Sequence, residues 1–161
     1  MAGKKISGAF QIAKRDGNSH CIFVDRKIAE SFDGKPYPRA LCTINGQSFH
    51  CAFMRSKEDG YFIFLGNKLM KDLKLRAGIT VKVVFSNDDS EYQAPVVEEL
   101  AEVLSTDPEA EKVFQSLTPG NQRSIIYLVT LVKTSQKRID RSLLIAAKLK
   151  AGITSARLML K

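Results

Sequence analysis

Tryptophan is absent from this chain, cysteine occurs three times and histidine twice, and no apolar run is long. Each scarcity excludes something. The longest apolar stretch, within Ser124–Val132, is about half the ~20 residues a helix needs to cross a bilayer, so no transmembrane helix is expected. Cys21, Cys42 and Cys51 are odd in number, irregularly spaced and form no Cys-x-x-Cys, which excludes a disulfide framework and points to reduced thiols. Near the start, Met1-Ala-Gly-Lys-Lys-Ile supplies a basic pair, but Gln11, Lys14, Arg15 and Asp16 interrupt any apolar stretch behind it. A cytoplasmic location is the expectation.

Catalytic and metal-binding patterns are equally scarce. His20, Cys21, Cys42, His50 and Cys51 lack the closely spaced ligand pairs of structural zinc. The run Gly60-Tyr-Phe-Ile-Phe-Leu-Gly66-Asn67-Lys68 has glycines framing a lysine, yet strand residues fill the interval and no Ser or Thr follows Lys68, so it reads as a strand and turn, not a phosphate loop. Asp88-Asp89 falls in a predicted loop with no histidine expected beside it, which removes the basis for a two-carboxylate hydrolase. No enzyme activity, metal or cofactor is expected. An enzyme or small-ligand binder would have to use a barrel cavity, with His20, His50 and Arg39 as its contributors.

What the chain does have is core material and two different periods. Its 161 residues are 44% hydrophobic, enough for a globular core. Lys5–Lys14 alternates Ile6, Gly8, Phe10 and Ile12 with other residues in the two-residue period of a strand. Asp16-Gly17-Asn18 turns the chain, His20–Asp25 is a short strand, and Arg26–Phe32 is a helical turn closed by Asp33-Gly34. Arg39–Ile44 and Gln47–Arg55 flank Asn45-Gly46, the signature of a two-residue type I′ hairpin. Pairing Ile44 with Gln47 sets Cys42 opposite Phe49 and turns His50 to the other face. Beyond the turn at Glu58-Asp59-Gly60 come a strand Tyr61–Leu65, helical turns over Lys68–Leu75 and a β-branched strand Thr80–Phe85. These make a barrel-like domain of about six strands, whose core and rim take Phe49, Phe53, Tyr61, Phe62, Phe64 and Phe85.

Asn87-Asp88-Asp89-Ser90 breaks the pattern, and the expected domains are 1–90 and 91–161. Behind it the period becomes helical, giving an α+β chain. Pro95 suits a first helical position, with Val97, Leu100, Ala101 and Leu104 on the apolar face. Asp107-Pro108 and Thr118-Pro119 repeat a cap-plus-proline device for two further helices, the second running to Val132 and expected to be central and mostly buried. A last helix spans about Ser135–Lys150, stopped by Ala151-Gly152, with a loosely held tail to Lys161.

Charge is segregated. The formal net charge is +8, yet residues 93–116 hold six acids against Lys112 alone, and residues 117–161 hold nine bases against Asp140 alone. Lys137, Arg141 and Lys148 share one face of the last helix, adjoined by Lys133 and Arg138. That face is either solvated and docked on the acidic helices or a binding surface for a protein or a polyanion, nucleic acid among them, acting through charge. Only Tyr127 offers a ring nearby, so no base-stacking platform is expected there.

The run Val113-Phe-Gln-Ser-Leu-Thr-Pro-Gly-Asn-Gln-Arg123, then Leu131-Val-Lys-Thr134, Arg138-Ile139 and Leu149-Lys-Ala-Gly152, resembles the helical domain of the bacteriocin-protection family, also called YdeI/OmpD-associated. Upstream, Cys42-Thr-Ile-Asn-Gly46, Gly60-Tyr-Phe-Ile-Phe-Leu-Gly66 and Leu75-Arg-Ala-Gly-Ile-Thr-Val81 resemble its usual companion, a small domain of unknown function. The resemblance implies a double-split β-barrel of the AbrB/MazE kind followed by helices, and a link to envelope stress and tolerance of cationic antimicrobial peptides. It brings no catalytic residues. Relatives tend to carry a tryptophan where this chain has Leu128. The combined expectation is a non-enzymatic binding protein, monomeric or weakly dimeric, with nucleic-acid regulation in the AbrB manner as the alternative.

Overall fold

A computed structural model describes residues 3–58 and 60–161; the opening Met1-Ala2 and Asp59 of the expected turn lie outside the described residues. The chain divides into two compact units, Met1–Asp89 and Ser90–Lys161.

The first unit holds β1 (Lys5–Lys14), β2 (His20–Val24), α1 (Arg26–Glu30), β3 (Arg39–Ile44), β4 (Gln47–Ala52), β5 (Met54–Ser56), β6 (Gly60–Leu65), α2 (Asn67–Asp72) and β7 (Thr80–Ser86). The strands form one antiparallel sheet in the order β4-β3-β7-β1-β2-β6-β5. β1 is the long strand that serves both halves: Lys5–Gln11 pair with β7, and Ile12–Lys14 pair with β2. The two edge strands, β4 and β5, are separated in the chain only by Phe53. Two peptide units span at most ~7 Å, so the sheet curls until its edges approach, and β4 also contacts β6.

Seven strands replace the expected six because the run Gln47–Arg55 does not continue straight. The Phe53 backbone N–H donates to the Pro38 carbonyl at 2.8 Å, one rung beyond the Arg39–Ala52 pair, and from Met54 the chain pairs with β6 instead. The ring turns into the core, fully buried, stacked on Phe32 at 5.6 Å and tilted against Phe85 at 5.2 Å. Around it pack Ile12, Ile22, Ile44, Ile63 and Val83. The hairpin forms as its sequence requires: Asn45 and Gly46 take φ of 49° and 81°, Ile44 faces Gln47 and Cys42 faces Phe49.

The second unit contains α3 (Glu98–Thr106), α4 (Pro108–Ser116), α5 (Pro119–Thr130), α6 (Ser135–Lys150) and α7 (Ala156–Met159). Two caps act as the sequence indicates, Asp107 and Thr118 accepting from the N–H groups of Ala110 and Asn121, and Thr134 caps α6 in the same way on Lys137. Gly152, at φ 84°, ends α6.

Three expectations are corrected. α3 begins at Glu98, not Pro95, because the preceding segment is held by packing: Ala94 is buried and Tyr92 meets Phe114 edge-on at 5.6 Å. The central helix is α6, which touches α3, α4, α5 and α7, while α5 leaves Tyr127 partly in solvent and ends beside an exposed Leu131. The small residues Ser142 and Ala146 beside Ile145 and Leu149 let neighbouring helices approach α6 closely. The tail is not loose, since α7 buries Met159 completely.

Phe53→Ala is expected to cost ~3–5 kcal/mol, because no neighbour can fill the site without parting the seam. Denaturant unfolding followed by far-UV circular dichroism should show the loss in the sheet unit's transition.

Candidate functional site

The basic residues singled out on α6 are divided by the structure. Arg138 donates from Nε to Glu99 Oε1 at 2.9 Å and from a terminal nitrogen to the carbonyls of Lys133 at 2.8 Å and Val132 at 3.4 Å. Arg141 donates to the Leu128 carbonyl at 2.8 Å, and Lys148 to the Lys161 carbonyl at 2.9 Å. Each satisfies a carbonyl that helix geometry leaves without a partner near a helix or chain end. Lys133 and Lys137 stay exposed.

Acidic helices meet the basic one in the same way. Lys150 Nζ lies 2.8 Å from Asp107 Oδ2. The hydrogen bond from Lys150, joined by the Ala110 N–H, holds the Asp107 carboxyl below the usual carboxylate range, and the same contact holds the Lys150 ammonium above its own. Glu99 is lowered first by its own backbone N–H and then by Arg138. These contacts use part of the charge contrast visible in the sequence.

Two of the acids outside these contacts line a cavity. About 250 Å³ of space opens within the helical unit, floored by Leu100, Leu104, Phe114 and Ile126 and edged by Glu91 and Glu111. Tyr92 stands at its mouth, its hydroxyl accepting from Gln115 Nε2 at 2.9 Å. Burial raises the phenol's pKa, Gln115 opposes the shift, and the charges of Glu91 and Glu111 add to it. Glu91, hydrogen-bonded to the Tyr92 hydroxyl, and Glu111 both line the opening. Val96, on the rim, is 84% exposed. Neither Glu91 nor Glu111 forms a salt bridge among the described residues.

In the sheet unit, His20, His50 and Arg39 do not converge. His20 is paired with the buried Leu65 and so lies on the core side, whereas His50, opposite Leu41, and Arg39, opposite Ala52, lie on the other face. His50 instead meets Asp88, Nδ1 to Oδ2 at 2.6 Å, with the carboxylate almost fully buried. This corrects the expectation that no histidine lies near Asp88-Asp89. β7 carries the chain back beside β3, two strands from where His50 stands, and the contact is invisible to local sequence. The dyad fastens the chain leaving β7 onto β4.

Cys42 and Cys51 are adjacent on the core face. A hydrogen bond donated by the Cys42 thiol to Cys51, together with burial, pushes the Cys42 thiol far above the ordinary range, which makes it an inert core group and not a nucleophile. Among the described residues no cluster of three His, Cys, Asp or Glu could hold a metal ion, and no helix is long and apolar enough to cross a membrane.

Fold and surface together define a two-unit α+β chain, a curled antiparallel sheet followed by a helical bundle with an acid-edged cavity. Residues 10–85 match the model of a domain of unknown function, DUF1905, and residues 93–152 match that of the Bacteriocin-protection, YdeI or OmpD-Associated family. The chain thus carries a YdeI/OmpD-associated domain behind a DUF1905 domain, as its motifs indicated. No curated protein matches it in sequence.

The Asp107–Lys150 contact sets a pH dependence. A carboxylate with a depressed folded pKa stabilises the fold above its unfolded pKa, and that contribution fades as pH falls through the folded value. Melting temperature measured against pH should therefore drop on acidification below the ordinary carboxylate range, and Asp107→Asn should lower the neutral-pH plateau and shallow that fall. The Lys150 side works in reverse: its contribution is complete at neutral pH and is lost as pH rises through the raised value.

Proposed function

We propose that this is a cytoplasmic, non-enzymatic bacterial protein of the bacteriocin-protection kind, which acts by binding a cationic peptide segment at the acid-edged cavity of its helical unit. One observation carries the reading. In a chain of net charge +8, an apolar recess of the helical unit is edged by two carboxylates without a salt bridge, while Arg138, Arg141, Lys148 and Lys150 are held by groups of their own unit. An aliphatic or aromatic side chain would fill the space over Leu100, Leu104 and Phe114, and flanking Lys or Arg residues would meet Glu91 and Glu111. The family's link to bacteriocin protection supports that ligand class, because peptides of this kind combine positive charge with apolar anchors.

Polyanion binding on α6 is the weaker reading. Of its five residues, Arg138, Arg141 and Lys148 already hold groups of their own unit, which leaves Lys133 and Lys137.

Calorimetric titration of the full chain with a synthetic Lys/Leu amphipathic peptide, beside a Glu/Leu peptide of the same length, tests the proposal. The cationic peptide alone should bind. Glu91→Gln with Glu111→Gln should weaken it by about five- to tenfold, in line with two partly exposed charge contacts, and Ala101→Phe, which fills the recess from its exposed wall, should abolish it. Absence of binding at low salt, or binding indifferent to all three substitutions, overturns the proposal.

A further inference from the structure

The outer face of the β1, β2 and β6 half of the sheet carries aromatic rings that the core does not use. Strand alternation sends Tyr61, Ile63 and Leu65 into the core and leaves Phe62 and Phe64 on the opposite side. Phe23 faces Phe62 in register and so joins them. Phe23 is 50% exposed and Phe64 49% exposed, whereas Phe62 between them is buried. Their centroids lie 6.4 Å and 5.0 Å from that of Phe62, both edge-on.

What covers Phe62 is Arg15, its guanidinium carbon 4.0 Å from the ring centroid. The Arg15 backbone is fixed at the end of the β1–β2 hairpin, its N–H donating to the Ser19 carbonyl at 2.9 Å. The guanidinium is half-buried and forms no salt bridge among the described residues. Lys14 is exposed beside Arg15 in sequence, and Lys68, in the first turn of α2 after β6, is paired with Asp72. Of the acids near the patch, Asp16 lies in the hairpin turn and Asp25 caps α1, while Asp25 and Glu58 share with Phe23 the groove at the far edge of the patch from Arg15.

Two half-exposed rings flanking a cation without a carboxylate describe a surface for a flat, anionic ligand. We propose that this face binds single-stranded nucleic acid, with bases stacked on Phe23 and Phe64 and Arg15 meeting the phosphate or base edge between them. Stacking needs no hydrogen-bond readout, so binding would tolerate any sequence. A second copy of the chain fits less well, because a two-fold contact through this patch would bring Arg15 toward its own counterpart. A bilayer also fits less well: the rings stand in mid-strand on a sheet face, not at a loop tip that could enter the headgroups. The proposal stands independently of the peptide reading for the helical unit.

Fluorescence anisotropy of labelled oligo(dT) and oligo(rU) with the full chain, across a salt series, supplies the test. Binding should weaken as salt rises. Phe23→Ala with Phe64→Ala should reduce affinity by about tenfold or more while leaving the melting temperature near that of the parent, because both rings are half in solvent. Arg15→Lys keeps the charge but loses the planar cover and should weaken binding several-fold. Phe64→Trp should retain binding, and its indole, the only one in the chain, should be quenched as oligonucleotide is added. The proposal is overturned by absence of binding at low salt, by unchanged affinity in the double variant, or by duplex competing as well as single strand. It is equally overturned if sedimentation shows the double variant dissolving a dimer, or if anionic vesicles bind in place of the oligonucleotides.

Discussion

The sheet unit depends on a single geometric constraint, that both of its edge strands belong to one continuous stretch of chain with Phe53 alone between them. A seven-stranded antiparallel sheet could lie open with its edges far apart, but β4 and β5 cannot separate by more than the reach of that residue. Closure follows, and with it a concave interior that needs filling. Phe53 answers both demands, since its backbone makes the last rung to β3's side, at the Pro38 carbonyl, before β5 turns to β6, and its ring occupies the seam between Phe32 and Phe85. The edges that would otherwise expose unpaired backbone are brought toward each other. β1 supports the same curl from the far side of the sheet, pairing with β7 along one part of its length and with β2 along the rest.

How much of this could be read from sequence depends on the range of the interaction. The Asn45-Gly46 hairpin and the caps at Asp107 and Thr118 are decided within four residues, and all are present as their sequences indicate. The break at Phe53 has no local signal, because neither glycine nor proline marks it; the bend exists only because β5 has β6 to pair with. The helical hierarchy fails to show for a related reason. α5 looks the more hydrophobic helix, and α6, with its many lysines and arginines, looks like a surface one. Yet α6 is central, because burial follows the stripe Ser142, Ile145, Ala146, Leu149 rather than mean composition.

Charge teaches the same lesson for the candidate sites. The basic face of α6 is correctly placed on one side of a helix, but helical spacing cannot say what lies opposite. Arg138 and Arg141 reach carbonyls that α5 and the loop after it leave without helical partners, and Lys150 reaches the cap of α4. A side chain so engaged is part of the fold's own hydrogen-bond accounting. Conversely, Glu91 and Glu111 attract no notice in sequence, one in a loop and one among other acids, and become a pair only where Tyr92 draws the loop onto Phe114.

A formal charge of +8 is therefore a poor guide to what this chain presents to a partner. In the helical unit four bases are held by groups of their own unit and Glu91 and Glu111 edge an apolar recess, so the rim of that recess has the opposite sign from the total. In the sheet unit the relation is reversed: Arg15 has no carboxylate, and it lies on a ring between two others that the core leaves outside. Phe62 and Phe64 were expected among core and rim residues because aromatic strands usually fill barrels. The period of two sends them away from that core as surely as it sends Tyr61 and Ile63 into it. Exposed phenylalanine on a sheet face carries a hydration cost that folding does not recover, and an arginine laid across the patch covers only its centre. The rings on either side stay in water, a position that makes physical sense where a flat partner can complete the stack.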